Sequence, residues 1–343
     1  MMMESLSTFT RRAALVAVAS AVLGSSAVAS ADEYVLKIAT VALESTPWGK
    51  ALKEYAAAVE KASAGRLKVR LFFSGAYDEE GVVVQAMQRD RINGGGMSTA
   101  ALASAVPELN VLDLPYLMRT YAEADKVLDN PKVQAAMDKA LEAKGFKMLF
   151  LSENGFRSFG TKKGFIKTPG DLRGKKMRSQ ESPPHLAMYR GFGGSPVPIA
   201  LAEVLTSIQT GVVEGWDNTA FYAYAAKWHT AIKFYSVTEH IFQPAIIAVT
   251  TKFVNSLPAD LKKILFDSRG DIPKRLRRTL RAANNILIND KFPKANVAVY
   301  KLTDAEKAAF EPAAAKTRST YIAAASASVK SFFDVVASVL GRR

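Results

Sequence analysis

The sequence predicts an α/β protein of two lobes, and three observations carry that expectation. Tyr34-Val-Leu-Lys-Ile-Ala39 and Leu67-Lys-Val-Arg-Leu-Phe-Phe73 alternate apolar and polar residues, as strands do, and a helical stretch separates them. The chain has 343 residues, more than one hydrophobic core usually serves. Residues 199–219 read as a short helix, a glycine stop and a strand that ends on the polar-aromatic cluster Trp216-Asp217-Asn218. In α/β folds, ligands bind where strands exit the sheet.

The elements follow in order. Arg11-Arg12 precede an uncharged run over 13–28, and Ala29-Ser30-Ala31 offers small residues to a signal peptidase. Residues 1–31 therefore read as a secretory signal peptide, cut before Asp32. The arginine pair fits both a twin-arginine signal and an ordinary Sec signal. After the first strand, Thr46-Pro47 offers an N-cap and a first-turn proline. Trp48, Leu52, Tyr55, Ala56 and Val59 mark the inward face of that helix, and Gly65 ends it. This strand-helix-strand unit implies a parallel pair with a right-handed crossover.

A helix ends at 87–93 and the glycine-rich Gly94-Gly-Gly-Met-Ser98 continues as strand or loop. Residues 123–144 are helical with a break at Asn130-Pro131, and Lys147-Met-Leu-Phe-Leu151 is a buried strand. Leu201, Val204, Leu205 and Ile208 recur at helical spacing, Gly211 stops that helix, and Val212-Val213 starts a strand. Residues 257–287 are helical in more than one piece, and the Ala-rich stretch 304–340 forms long C-terminal helices. Pattern alone draws a single lobe boundary near residue 150.

Composition excludes several classes. No cysteine is present, which removes disulfides, thiolate metal sites, cysteine nucleophiles and a lipid-modified cysteine after the leader. No segment after the leader approaches the length of a membrane span. The formal charge of +14 favours anions or acidic surfaces as partners. Export argues against nucleic acid. Lys274, Arg275, Arg277, Arg278 and Arg281 fall at helical spacing and read as a solvated helix face. Gly94–Gly96 lacks the Lys and Ser/Thr of a phosphate loop. His185, His229 and His240 lack metal spacing, and no serine sits in a nucleophile elbow. Asp78, Glu79 and Glu80 start a helix, where the dipole favours acids.

Motifs add a resemblance. Glu203-Val-Leu-Thr-Ser-Ile-Gln-Thr-Gly-Val-Val-Glu-Gly-Trp-Asp-Asn218 is similar to the signature of the DctP-type solute-binding subunits of tripartite ATP-independent periplasmic (TRAP) transporters. Asp171-Leu-Arg-Gly-Lys-Lys-Met-Arg178 and Leu112-Asp-Leu-Pro-Tyr-Leu117 resemble two further family segments, in the family's order. The likeness covers nearly all of the chain after the leader. It implies a two-lobed periplasmic binding protein fold (type II-like). Its two α/β lobes are discontinuous, with a ligand cleft between them and long C-terminal helices. Mapped by motif, the first lobe is 32–154 plus 242–284. The second is 155–241 plus 285–343 and carries the C-terminal helices.

The resemblance also implies a site. Arg178 matches the family arginine that pairs with the ligand carboxylate, and a planar guanidinium suits that task because it offers two parallel donors and stays charged when desolvated. Asn218 matches a ligand-contacting asparagine, whose amide both donates and accepts. Arg157, in Asn154-Gly-Phe-Arg157, resembles a second family arginine; the competing reading is a structural ion pair near the hinge. Trp216 sits between the strand exit and Asn218, and Trp48 and Tyr77 match loops that approach the cleft. Phe221 completes the set. Where the family often has a Q-L-G turn, this chain has Ala76-Tyr-Asp-Glu-Glu-Gly81, so the ligand need not be a C4-dicarboxylate.

The resulting expectation is a periplasmic receptor, not an enzyme, without cofactor or metal. It would be a monomer that closes on a small carboxylate and delivers it to the membrane permease subunits of a TRAP transporter. A periplasmic sensor that presents the same ligand to a chemoreceptor or kinase is the alternative, and a secreted enzyme on the same scaffold is a third.

Overall fold

The computed structural model describes residues 33–74, 77 and 79–342, so the leader expected at 1–31 lies outside the described residues. Its strands are β1 (Tyr34–Thr40), β2 (Leu67–Phe72), β3 (Gly94–Ser98), β4 (Phe146–Thr161), β5 (Lys176–Ser179), β6 (Ser195–Pro198), β7 (Gly215–Asn218), β8 (Phe234–Thr250) and β9 (Ala298–Lys301). They form one sheet in the order β2-β1-β3-β8-β4-β7-β5-β6, with β9 also beside β8. β1 and β2 are parallel, as the strand-helix-strand unit predicts.

Two long strands carry the architecture. β4 has 16 residues and β8 has 17, and they run antiparallel along most of their length. The C-terminal part of β8 pairs with β3, while its N-terminal part pairs with β9. The far end of β4 pairs with β7. Each long strand therefore runs through both halves of the sheet. The β4–β8 register slips between Glu153 and Gly155, where Gly155 takes φ +106°. Only glycine adopts that backbone readily, so the register slip falls there.

Local signals behave as the sequence suggests. The Thr46 hydroxyl accepts from the Gly49 N–H at 3.3 Å, with Pro47 in the first turn of the helix Pro47–Ala62. Gly65 and Gly211 both take positive φ. The break at Asn130-Pro131 separates helix Tyr121–Leu128 from helix Pro131–Glu142. The signature strand starts at Gly215 rather than Val212, which is exposed.

Two apolar clusters sandwich the first half of the sheet. One contains Leu52, Tyr55, Ile247 and Leu276. The other contains Val83, Leu112, Val127 and Met137. Two more serve the second half, one around Trp216 and Trp228 and one around Phe159 and Tyr189. The C-terminal helices divide between the lobes, contrary to the expectation that 285–343 belongs wholly to the second. Helix Asp304–Ala324 buries Phe310 and Ala314 beside Phe192. Helix Ala327–Leu340 buries Val329, Phe332 and Val336 in the cluster of Val127 and Met137. Extended Ala325 and the cap Ser326 turn the chain across, and an apolar stripe at helical spacing finds its core in the first lobe.

The basic helix Ile272–Ile286 is also less solvated than expected. Arg277 is buried and pairs with Asp125 at 3.1 Å and Asp129 at 2.6 Å. Arg281 bonds Asp125 and the buried Glu153, and its guanidinium lies 4.4 Å from the Tyr121 ring centroid. These residues brace the β4 bend next to Gly155.

Trp216 shows how tightly the second lobe is packed. A Cβ on Gly160 would stand 2.5 Å from its indole ring, which is fully buried. Gly160→Ala should therefore destabilise the fold by about 1–3 kcal/mol. Urea unfolding should show a lower midpoint at unchanged slope, with partial recovery when Trp216→Phe is added. A midpoint equal to wild type would show that the ring yields freely.

Candidate functional site

A cavity of about 770 Å³ lies between the two halves of the sheet. The first half contributes Thr40, Trp48, Glu79, Glu80 and Gly96, and the second contributes Arg178, Gln180, Asn218, Phe221 and Tyr222. Arg157 and Gln243, from β4 and β8, form its polar floor. The structure thus brings together Arg178, Asn218, Arg157, Trp48 and Phe221.

Two expected residues lie elsewhere. Trp216 does not line the cavity. It packs in the core against Trp228 at 5.8 Å and Tyr235 at 5.9 Å between ring centroids. A side chain on β7 alternates faces, so Asn218 and Trp216 share a face direction, but Gly160 leaves the indole a slot on the neighbouring strand. Tyr77 packs edge-on against Phe72 and also lies outside the lining.

Arg157 is held by protein groups. Its Nε donates to Asp217 Oδ2 and its Nη2 to the Asp217 carbonyl, both at 2.6 Å. Its Nη1 donates to Gln243 Oε1 at 3.0 Å and reaches Gln180 and Asn218 more weakly. Both charges are almost wholly buried. Burial alone would raise the Asp217 carboxyl, but Arg157, His240 and His185 together outweigh it and hold it well below the usual carboxylate range. Asp217 also accepts from Tyr189 Oη at 2.9 Å. Further in, His185 Nε2 bonds Asp113 at 3.1 Å, and Asp113 accepts from Thr99 and from Gln243. This network ties the second lobe to Asp113 of the first.

Arg178 differs. It comes from β5, is 2% exposed, and has no carboxylate partner among the described residues. Its Nε donates to the Ile199 carbonyl at 3.0 Å, and its guanidinium carbon lies 5.2 Å from the Trp228 ring centroid. Its Nη1 is buried without a hydrogen-bond partner. Burial, then the nearby Arg157 charge, pushes its pKa down to about 10, so it remains a cation at neutral pH. A buried, uncompensated cation lining a cavity is a site for an anion. Beside it, Asn218 Oδ1 already accepts from the Thr219 N–H at 2.8 Å, which turns its amide donor to other use. The Trp48 indole N–H is also buried without a partner.

Sequence reasoning missed Gln180, Gln243, Glu80 and the buried role of Asp217. Gln243 could have been noticed as a lone amide in an apolar strand run, Ile241-Phe-Gln-Pro-Ala-Ile246. Glu80 read as an acid at a helix start. It is that, but its carboxylate turns to Ser98, accepting from the backbone N–H at 2.7 Å and from Oγ at 2.6 Å. Among the described residues, no group of His, Asp and Glu is arranged to hold a metal ion.

Asp217→Asn should leave Arg157 buried without its counter-charge and destabilise the fold by about 3–5 kcal/mol. The Asp217 carboxyl is depressed in the folded state, so its contribution is complete above the unfolded value of about 4 and fades as pH falls below it. Urea titrations at neutral and acid pH should show the gap between wild type and variant closing on acidification. A gap independent of pH would contradict this assignment.

The chain is similar to known proteins along most of its length. The profile of the DctP family, described as bacterial extracellular solute-binding protein, family 7, matches residues 38–323. A solute-binding protein of Verminephrobacter eiseniae is 35% identical over 239 residues, 70% of this chain and 71% of that protein. The 2,3-diketo-L-gulonate-binding periplasmic protein YiaO of Escherichia coli is 29% identical over 263 residues, 77% of this chain and 79% of its own length. The crystal structure of a TRAP periplasmic solute-binding protein from Sulfitobacter sp. NAS-14.1, with bound β-D-galacturonate, has a TM-score of 0.82 at 24% identity, covering 88% of this chain and 98% of that one. That likeness extends to the two-lobed α/β fold.

Proposed function

The chain belongs to the DctP family of TRAP solute-binding proteins, and from that premise we propose that it is a periplasmic receptor for a small organic carboxylate, delivered to a TRAP-type membrane permease. Proteins of this family bind substrates for transport and are not enzymes, so the chemistry is recognition. The observation that carries the carboxylate reading is Arg178, a buried cation with a donor left open and no carboxylate partner among the described residues. A carboxylate oxygen would satisfy that donor, and the Asn218 amide would take its share of the same group. The E. coli relative is named for a sugar acid, and the Sulfitobacter structure holds another. Both ligands combine a carboxylate with several hydroxyls, which suits a cavity lined by amides and carboxylates.

Capture would involve both lobes. Gln180 Nε2 donates to Ser98 Oγ at 3.1 Å, and the Ala202 N–H donates to Glu79 Oε1 at 3.3 Å, both across the cleft. Ligand contacts to both walls favour the closed arrangement by the difference in affinity between the two states. Closure expels water and strengthens the contact of Arg178 with the anion.

Arg178→Ala should weaken carboxylate binding by about 2–5 kcal/mol in calorimetry. Arg178→Lys should recover little, because an ammonium cannot make the paired bond. Near-native affinity in the alanine variant would remove Arg178 from the site. Trp48 lines the cavity and Trp216 does not, so a ligand-induced change in tryptophan fluorescence should survive Trp216→Phe and disappear in Trp48→Phe. The reverse result would place the ligand against the second lobe's aromatic core. Small-angle scattering should show a smaller radius of gyration with saturating ligand; an unchanged radius would argue for a rigid, preformed site.

A further inference from the structure

The wall facing Arg178 is acidic. Among the lining residues, the cations are Arg157 and Arg178, and the anions are Glu79, Glu80 and Glu181. Arg157 is already neutralised by Asp217, so one cationic charge is left for the ligand. The hydrogen bonds around Glu80 favour its charged form. Gln180 Oε1 accepts from Gln243 Nε2 at 2.9 Å, which leaves the Gln180 amide to donate to Ser98 Oγ. The Ser98 hydroxyl then has its proton for Glu80 Oε2 at 2.6 Å, while the Ser98 N–H serves Oε1. Both Glu80 oxygens are thus acceptors, the pattern of a carboxylate. Each oxygen keeps a second lone pair, and only a donor can satisfy it.

We propose that Glu80 is a specificity-determining residue that makes this cavity select hydroxylated monocarboxylates and reject dicarboxylates. The inference rests on the carboxylate reading of Arg178. A ligand whose carboxylate meets Arg178 presents its far end to the opposite wall. A hydroxyl there donates to Glu80 and completes its shell. A second carboxylate there has no proton to give and sets like charge against like in a poorly hydrated space. Burial already pushes the Glu80 carboxyl upward, against the Ser98 bonds, and Glu79 adds to it. A second negative charge beside that carboxyl would push it further up, so a dicarboxylate binds only at the cost of taking up a proton.

The test compares ligands that differ only at the far end. D-gluconate and D-glucarate share one skeleton, as do D-galactonate and D-galactarate, with a terminal hydroxyl in one and a carboxylate in the other. Calorimetry on the full mature chain should show wild type binding at least one monocarboxylate tenfold or more tighter than its dicarboxylate counterpart. Glu80→Gln should shrink that ratio about tenfold, mainly by tightening the dicarboxylate, with monocarboxylate affinity falling by a smaller factor. Arg178→Ala should weaken both members of a pair together. Loss of binding in Arg178→Ala with an unchanged ratio in Glu80→Gln would overturn this inference alone. Retained binding in Arg178→Ala would overturn the carboxylate reading beneath it. Wild type that prefers the dicarboxylate, shows no preference, or binds neither pair overturns the inference without any variant, so the outcome stands even if Glu80→Gln does not fold.

Discussion

Arg157 and Asp217 lie 2.6 Å apart with almost no exposure, and the rest of the site depends on that pair. Two charges removed from water are tolerated only when geometry and hydrogen bonds satisfy them. Here the guanidinium reaches both the side chain and the carbonyl of Asp217, and its last donors go to amides. Asp217 gathers Tyr189 and His240 in turn. The pair fixes β4 against β7 at the level of the cavity floor. It also decides which arginine can serve a ligand. Arg157 is spent on the protein, and Arg178, one strand further out, is not. The sequence offered both arginines to the ligand; only the position of Asp217 separates them.

A tightly packed stretch and an irregular one sit side by side along β4. Phe159 stacks on His240 at 4.1 Å, inside the second lobe's core. A few residues earlier, Glu153 and Gly155 mark a register slip and a positive φ. β4 and β8 run side by side through this irregularity. Arg281, bound to Glu153 and Asp125 and stacked on Tyr121, ties helix Ile272–Ile286 to β4 beside it.

The charge distribution separates attraction from choice. A chain of +14 draws anions of any kind toward its surface. Inside, one uncompensated cation faces carboxylates and amides. Long-range field brings the ligand, while short-range desolvated contacts select it, since Coulomb interactions strengthen as the dielectric falls. The cation and the facing carboxylates stand on opposite walls of one cleft.

The sequence by itself determined the α/β class, the first parallel strand pair, the capped helices and the glycine turns. Each follows from local periodicity or from a residue whose backbone preference is strong, as at Thr46-Pro47 and Gly211. Motif resemblance added the discontinuous lobes and brought Arg178, Asn218, Arg157, Trp48 and Phe221 toward one place. Tertiary structure decided the rest. It sent Trp216 into the core, because Gly160 on the adjacent strand leaves an indole-sized slot that no local pattern announces. It divided the C-terminal helices, because an apolar stripe specifies burial but not which core receives it. It turned Glu80 from a helix-start acid into part of the cavity wall, since Ser98 meets it only after β3 is in the sheet. Local sequence fixes backbone preference and amphipathic face; which buried charge finds which partner depends on contacts between residues far apart in the chain.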